Sequence, residues 1–199
     1  MEKPCAESCI ENRAPIFAVL ESHLSDCTTL LEIGSGTGQH AVYFAAELPR
    51  LVWQTSDRAE NHPAIQAWLD DARLANVRCP IALDVLTDPW PSGPFDAVFS
   101  ANTAHIMSEL AIQAMFRGVA QVLRPGGRFL LYGPFNYDGD FTAPSNARFD
   151  AWLKARDPHM GIRDVTWLRG LAEAGGMRLV EDIEMPVNNR TLVWRKGTQ

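Results

Sequence analysis

The stretch Thr29 to Leu48, TLLEIGSGTGQHAVYFAAEL, sets a carboxylate two residues before a run of alternating glycines. Gly34, Gly36 and Gly38 let the chain turn sharply and let a ligand approach bare backbone and the amino terminus of the helix that follows. Ser35 and Thr37, between them, add hydroxyls to the same loop. The dinucleotide fingerprint wants its third glycine at position 39, where this chain has Gln39, and the Gly-Lys-Ser/Thr ending of a phosphate-cradling loop is missing. Glu32 narrows the ligand further, because an acid in a partly desolvated cleft disfavours a diphosphate and favours a cation. Two more acids follow the next β-type runs: Asp57 after LVWQTS, and Asp84, followed by Val85, in CPIALDV. One such Asp is usually only a solvated turn residue. Three acids at successive strand ends behind a glycine loop describe a composite site instead.

A fourth run ends in Ser100-Ala101-Asn102-Thr103-Ala104-His105. His105, whose imidazole ordinarily titrates near pH ~6.5, is a candidate general base beside Asn102; the alternative is a histidine that braces the next helix. His40 reads as structural or cofactor-proximal, since a helix must pack behind the loop. The polar and aromatic edge continues with Tyr132 to Tyr137 and with Asn188-Asn189, although asparagine is also a common turn residue and aromatics also form satellite cores.

These residues need a frame that brings strand ends together. β-type runs at 29–34, 51–56, 79–85, 95–101 and 127–133 alternate with segments of helical period, such as Gln39 to Leu48 and Glu109 to Leu123. That alternation predicts a parallel sheet covered on both faces, with ligands beyond the carboxyl ends of its strands. Arg124-Pro125-Gly126-Gly127 is expected to stop the second helix. From Pro134 to Arg163 the pattern lapses into an aromatic, polar stretch that reads as a functional insertion. A helix from Asp164 to Ala174 then leads to runs at 178–185 and 190–196, joined tightly enough for a hairpin with an antiparallel last strand. The expectation is a Rossmann-like α/β fold of seven strands, mostly parallel, in a single domain spanning 1–199.

Composition excludes more than it selects. The chain has 199 residues, 46% of them hydrophobic and 21% charged, which suits one soluble domain. A formal charge of −6 with scattered cations offers no footprint for a phosphate backbone, so no nucleic-acid partner is expected. No stretch is apolar over the ~20 residues of a membrane helix, and the amino terminus has no apolar signal-peptide core. A cytoplasmic protein without membrane contact is the default, and Cys5, Cys9, Cys27 and Cys79 read as thiols. No matching Cys/His pair follows Cys5 and Cys9, so no metal site is expected. Oligomeric state is not legible.

E-I-G-S-G-T-G resembles motif I of class I S-adenosylmethionine-dependent methyltransferases. The resemblance implies that Glu32 holds the methionine end, that Asp57 receives the ribose hydroxyls, and that Asp84 with Val85 meets the adenine. It also implies that Asn102 and His105 face the methyl group, while Ala101 and the loop residues Gly34, Ser35, Gly36, Thr37 and Gly38 bind the cofactor. GQHAVYFA, WQTSD, Asn102 to His105, YGPF, SNARFD, GIRD and MPVNN together resemble a small methyltransferase-like family known as a domain of unknown function, over nearly the whole chain. The chain departs from that pattern at Glu11, where Arg is usual, and at Thr103, where Met is usual. Asn12 keeps the family residue and is assigned to the cofactor; Tyr132, Phe135, Asn188 and Asn189 are assigned to the acceptor. The expected activity is methyl transfer to a small molecule, with residues 134–163 and the amino-terminal strip closing over the acceptor. The alternatives are a non-catalytic cofactor-binding or protein-interaction module, which would need no base, and a nicotinamide-dependent oxidoreductase, which Gln39 and Glu32 disfavour.

Overall fold

The structure is a computed structural model that describes residues 3–198. Its main sheet is built from β1 (Thr29–Glu32), β2 (Val52–Asp57), β3 (Val77–Ala82), β4 (Phe95–Ala101), β5 (Leu123–Gly133), β9 (Met177–Met185) and β10 (Asn189–Lys196). The strand order is β3-β2-β1-β4-β5-β10-β9. β1, β2, β3, β4 and β5 pair in parallel, while β10 is antiparallel to both β5 and β9. β9 therefore points the same way as β5, and the β9–β10 connection falls on the same edge as the ends of β1 to β5.

Helices α1 (Glu7–Leu24), α2 (Gln39–Glu47), α3 (His62–Ala72), α4 (Glu109–Val122) and α6 (Val165–Ala174) flank this sheet. Strand residues alternate between two cores, as a period of two requires. Leu30, Phe99, Leu130 and Val193 join Ile16, Leu20, Ala41 and Phe44 of α1 and α2. Leu31, Val98, Leu131 and Leu192 join Ile112, Met115, Val119 and Leu168 of α4 and α6 on the other face. Burying both faces explains why the strand runs read as nearly continuous apolar segments.

Three sequence expectations change. α1 corresponds to no element expected from the sequence, and it carries Pro15 in its interior. The buried stripe Ile16, Val19, Leu20 and Leu24 outweighs the lost hydrogen bond. Arg124-Pro125-Gly126-Gly127 is not a separate turn: α4 ends at Val122 and β5 starts at Leu123, with the register against β4 shifting between Phe95 and Ala97. The stretch after β5 is ordered, with β6 (Phe135–Tyr137), β7 (Asp140–Phe141) and β8 (Arg163–Asp164) forming a small sheet, and α5 (Pro144–Arg156) between β7 and β8. Among the described residues no helix is long and apolar enough to cross a membrane.

Candidate cofactor and acceptor site

The glycine loop leaves β1 with positive φ at Gly34 (72°), Gly36 (58°) and Gly38 (89°), and Gly38 is the N-cap of α2. A Cβ at Gly34 would stand 2.5 Å from the Thr103 methyl, so this turn passes directly under the β4–α4 loop. A Cβ at Gly36 would meet nothing within 4 Å. The open space therefore begins over Gly36. Gln39, which lacks the backbone freedom of a third dinucleotide glycine, accepts the Ala6 amide at 2.5 Å and donates to Cys5 Sγ at 3.4 Å.

Glu32 and Asp57 close β1 and β2, and Asp84 lies two residues beyond β3, as the parallel frame demands. Glu32 is 2% exposed, and its Oε2 accepts Ser35 Oγ at 2.8 Å and Trp53 Nε1 at 2.9 Å. Burial pushes its carboxyl up to about 7, against the pull of those two donors and with help from Asp57. Asp57 accepts the Gly36 amide at 2.7 Å on Oδ2, and Arg58 N and Asn61 Nδ2 at 2.8 Å on Oδ1. It fixes the loop as well as standing at the cleft. Asp84 is half-buried and accepts the Leu86 amide at 2.9 Å, and Val85 beside it is buried in the α4-side core.

The amino-terminal segment crosses this half of the site. Pro4 O accepts Trp68 Nε1 of α3 at 2.8 Å, and Lys3 lies over the Trp68 ring while pairing with Asp71. Together with the Gln39 contacts these bonds span α2 and α3. Asn12 extends the tie: His40 Nε2 donates to its Oδ1 at 2.8 Å, and nearby the Tyr132 hydroxyl accepts Asn189 Nδ2 at 3.0 Å. His40 stacks on Phe44, and burial holds it down to about 4, so it serves as a neutral structural link. Both bonds join segments far apart in sequence, and no spacing rule could have shown them.

On the acceptor side Asn102 adopts φ 59°, with its amide donating to Tyr132 O at 3.0 Å. Ala101, at the end of β4, pairs in register with Tyr132. His105 is 8% exposed, lies edge-on to Phe149 of α5 at 5.3 Å, and its Nδ1 is buried without a partner beside Gly133. Burial, with Arg163 nearby, lowers its pKa to about 4, so the ring is neutral at pH 7. Asn136 Oδ1 is another buried polar atom with no partner among the described residues; the sequence placed it on this edge without assigning it a role. Phe135, assigned to the acceptor, is fully buried in the α4-side core and braces the edge from below. Asn188 takes a turn conformation at φ 59° and fastens α5, its carbonyl accepting Asn146 Nδ2 and its amide donating to Ser145 Oγ. It holds the insertion rather than pointing to a ligand.

Residues 3–196 match the family described as proteins of unknown function, DUF938. The chain belongs to that family. Over 129 residues, 61% of the chain, this DUF938 protein is 33% identical to 27-O-demethylrifamycin SV methyltransferase of Amycolatopsis mediterranei, covering 42% of that protein. Mitomycin 7-O-methyltransferase MmcR has the same fold at a TM-score of 0.83 and 17% identity, over 96% of this chain and 54% of that one. The S-adenosylmethionine-dependent methyltransferase SibL follows at 0.80 and 23%, over 95% and 55%. The DUF938 chain spans about half the length of those two structures and 42% of the rifamycin relative. At such identities the structures establish the fold: a class I methyltransferase-like sheet.

Proposed function

We propose that this DUF938 protein is an S-adenosylmethionine-dependent methyltransferase that acts on a small molecule. One observation carries the reading: Glu32, Asp57 and Asp84 stand at the ends of β1, β2 and β3 around a glycine loop with open space over Gly36. The residues present fit that donor. Both hydrogen bonds to Glu32 fall on Oε2, leaving Oε1 for an ammonium, and a cation there favours the ionised carboxylate that burial disfavours. Asp57 keeps acceptor capacity for a ribose hydroxyl beyond its three donors, since a carboxylate offers about four lone-pair directions and its Oδ2 takes only the Gly36 amide. Asp84 and the Val85 backbone, just past β3, would meet the adenine edge.

When bound, the donor supplies an electrophilic methyl on a sulfonium, transferred in line to the acceptor. The chain's own work is alignment, exclusion of water and handling of the acceptor proton. Asn102 and His105, beyond β4, are the residues for that work. A histidine held neutral accepts a hydrogen bond at pH 7 without first losing a proton. With so low a pKa it orients an acceptor hydroxyl more than it retains its proton. The insertion, through Phe149 against His105, closes the acceptor side, and residues 3–12 close the donor side. The net charge of −6 favours a small acceptor over nucleic acid.

Titration calorimetry tests the reading. Saturable binding of S-adenosylmethionine, weakened at least ten-fold by Asp57→Asn and unmatched by NADH, is the expected result. Tight NADH binding, or no S-adenosylmethionine binding by a folded wild type, contradicts it.

A further inference from the structure

A cavity of about 590 Å³ opens between the start of α4 and the loop from Pro158 to Arg163. Its wall includes Ser108, Glu109, Leu110, Lys154, His159 and Arg163. None of these residues belongs to the donor half of the site. The cavity shares its wall with the β4–α4 loop that carries His105. The Gly161 amide donates to His105 O at 2.9 Å, and Arg163 donates to Ala104 O at 3.2 Å, to His159 O at 2.6 Å and to Met107 O.

Those bonds use Arg163 Nε and Nη2. Nη1 has only a Glu109 oxygen at 3.9 Å, beyond hydrogen-bond reach, although the Arg163 side chain is only 8% exposed. One end of a buried guanidinium is thus without a bonded acceptor. Two further features add positive potential. Ser108 takes the amides of Ala111 and Ile112, which leaves those of Glu109 and Leu110, at the positive end of a fourteen-residue helix, with no protein partner among the described residues. Lys154 lines the opposite wall, bonded at 2.6 Å to Asp150, whose other oxygen is already held by the Ile162 amide. Glu109 is the one carboxylate in the lining, and its side chain is 72% exposed, free to swing away.

We infer that this cavity anchors a carboxylate or phosphate group of the methyl acceptor, using Arg163 Nη1, the first amides of α4 and Lys154. The inference rests on the methyltransferase reading and narrows its acceptor to an anionic small molecule held beside the His105 loop. A guanidinium end and helix amides suit either anion.

Amide chemical-shift titration of the whole protein with inorganic phosphate and, separately, with benzoate tests it and distinguishes the two sources. At least one anion is expected to shift the Glu109, Leu110 and Gly161 amides saturably. Glu109→Gln, which removes the competing charge, should tighten that binding about three-fold, and Lys154→Met should weaken it about three-fold, the weight of a part-exposed ion pair. Both positions are exposed, so both variants should fold. Asp57→Asn should leave anion binding intact while weakening S-adenosylmethionine binding, so failure of the anchor and failure of the donor site read out separately. Shifts that do not saturate, or that ignore both the Glu109 and the Lys154 changes, overturn the proposal.

Discussion

The two halves of the sheet edge are built differently. On the donor half every acid is already engaged by nearby donors: Glu32 by Ser35 and Trp53, Asp57 by Gly36, Arg58 and Asn61, Asp84 by Leu86. On the acceptor half His105 Nδ1 and Asn136 Oδ1 are buried with nothing to bond, and the walls come from an insertion distant in sequence. Buried polar groups are normally paired, and an unpaired one costs about 1–3 kcal/mol. The half around Glu32, Asp57 and Asp84 is therefore internally satisfied, while the half around His105 and Asn136 holds hydrogen-bonding capacity with no protein partner among the described residues.

The sharpest way to break this contrast uses the two glycines. Gly34→Ala forces a Cβ against the Thr103 methyl at a φ of 72°, so unfolding by urea should show a loss of about 2–3 kcal/mol. Gly36→Ala meets open space and should lose only about 1 kcal/mol of stability, yet it should abolish S-adenosylhomocysteine binding by filling the ligand's volume. Unimpaired binding by Gly36→Ala would mean that the donor does not lie there.

Titration distinguishes the halves next. His105 and His40 are held down to about 4 in the folded state from an ordinary 6.5, so the unfolded chain takes up their protons first. The stability these neutral rings contribute is complete above pH 6.5 and is lost as pH falls toward 4, on the order of 3 kcal/mol per ring. Urea midpoints measured across that window should fall steeply, and His105→Gln should flatten the slope. Glu32 has the opposite sign: with its folded pKa raised to about 7 from 4.5, its burial costs stability increasingly as pH rises between those values. Glu32→Gln should thus stabilise the ligand-free protein slightly above pH 7 while weakening S-adenosylhomocysteine, and it should remove the rise in wild-type affinity between pH 5 and about 7. A variant that loses both stability and affinity would assign Glu32 to the frame alone.

The same division explains what the sequence disclosed. Strand ends, the glycine loop and its acids follow from short β-type runs between segments of helical period and from spacings of a few residues, so all seven main strands and the antiparallel last strand were legible. α1 was not: it carries an interior proline, Pro15, and it is the burial of Ile16 and Leu20 in the tertiary structure that holds it as a helix. Phe135 was assigned to the acceptor from its position at the edge, but the pleat turns its ring inward, into the core. The Asn12–His40 and Tyr132–Asn189 pairs, and the free end of Arg163, depend on chain segments far apart in sequence; only three-dimensional packing brings them together.

A crystal structure of the protein with S-adenosylhomocysteine tests the central claim most directly. The account predicts the ribose hydroxyls on Asp57, the amino group at Glu32 Oε1, the adenine against Asp84 and Val85, and the sulfur facing Asn102 and His105. A nucleoside bound elsewhere, or a Glu32 still bonded to Ser35 and Trp53 with no amino group at Oε1, would contradict it.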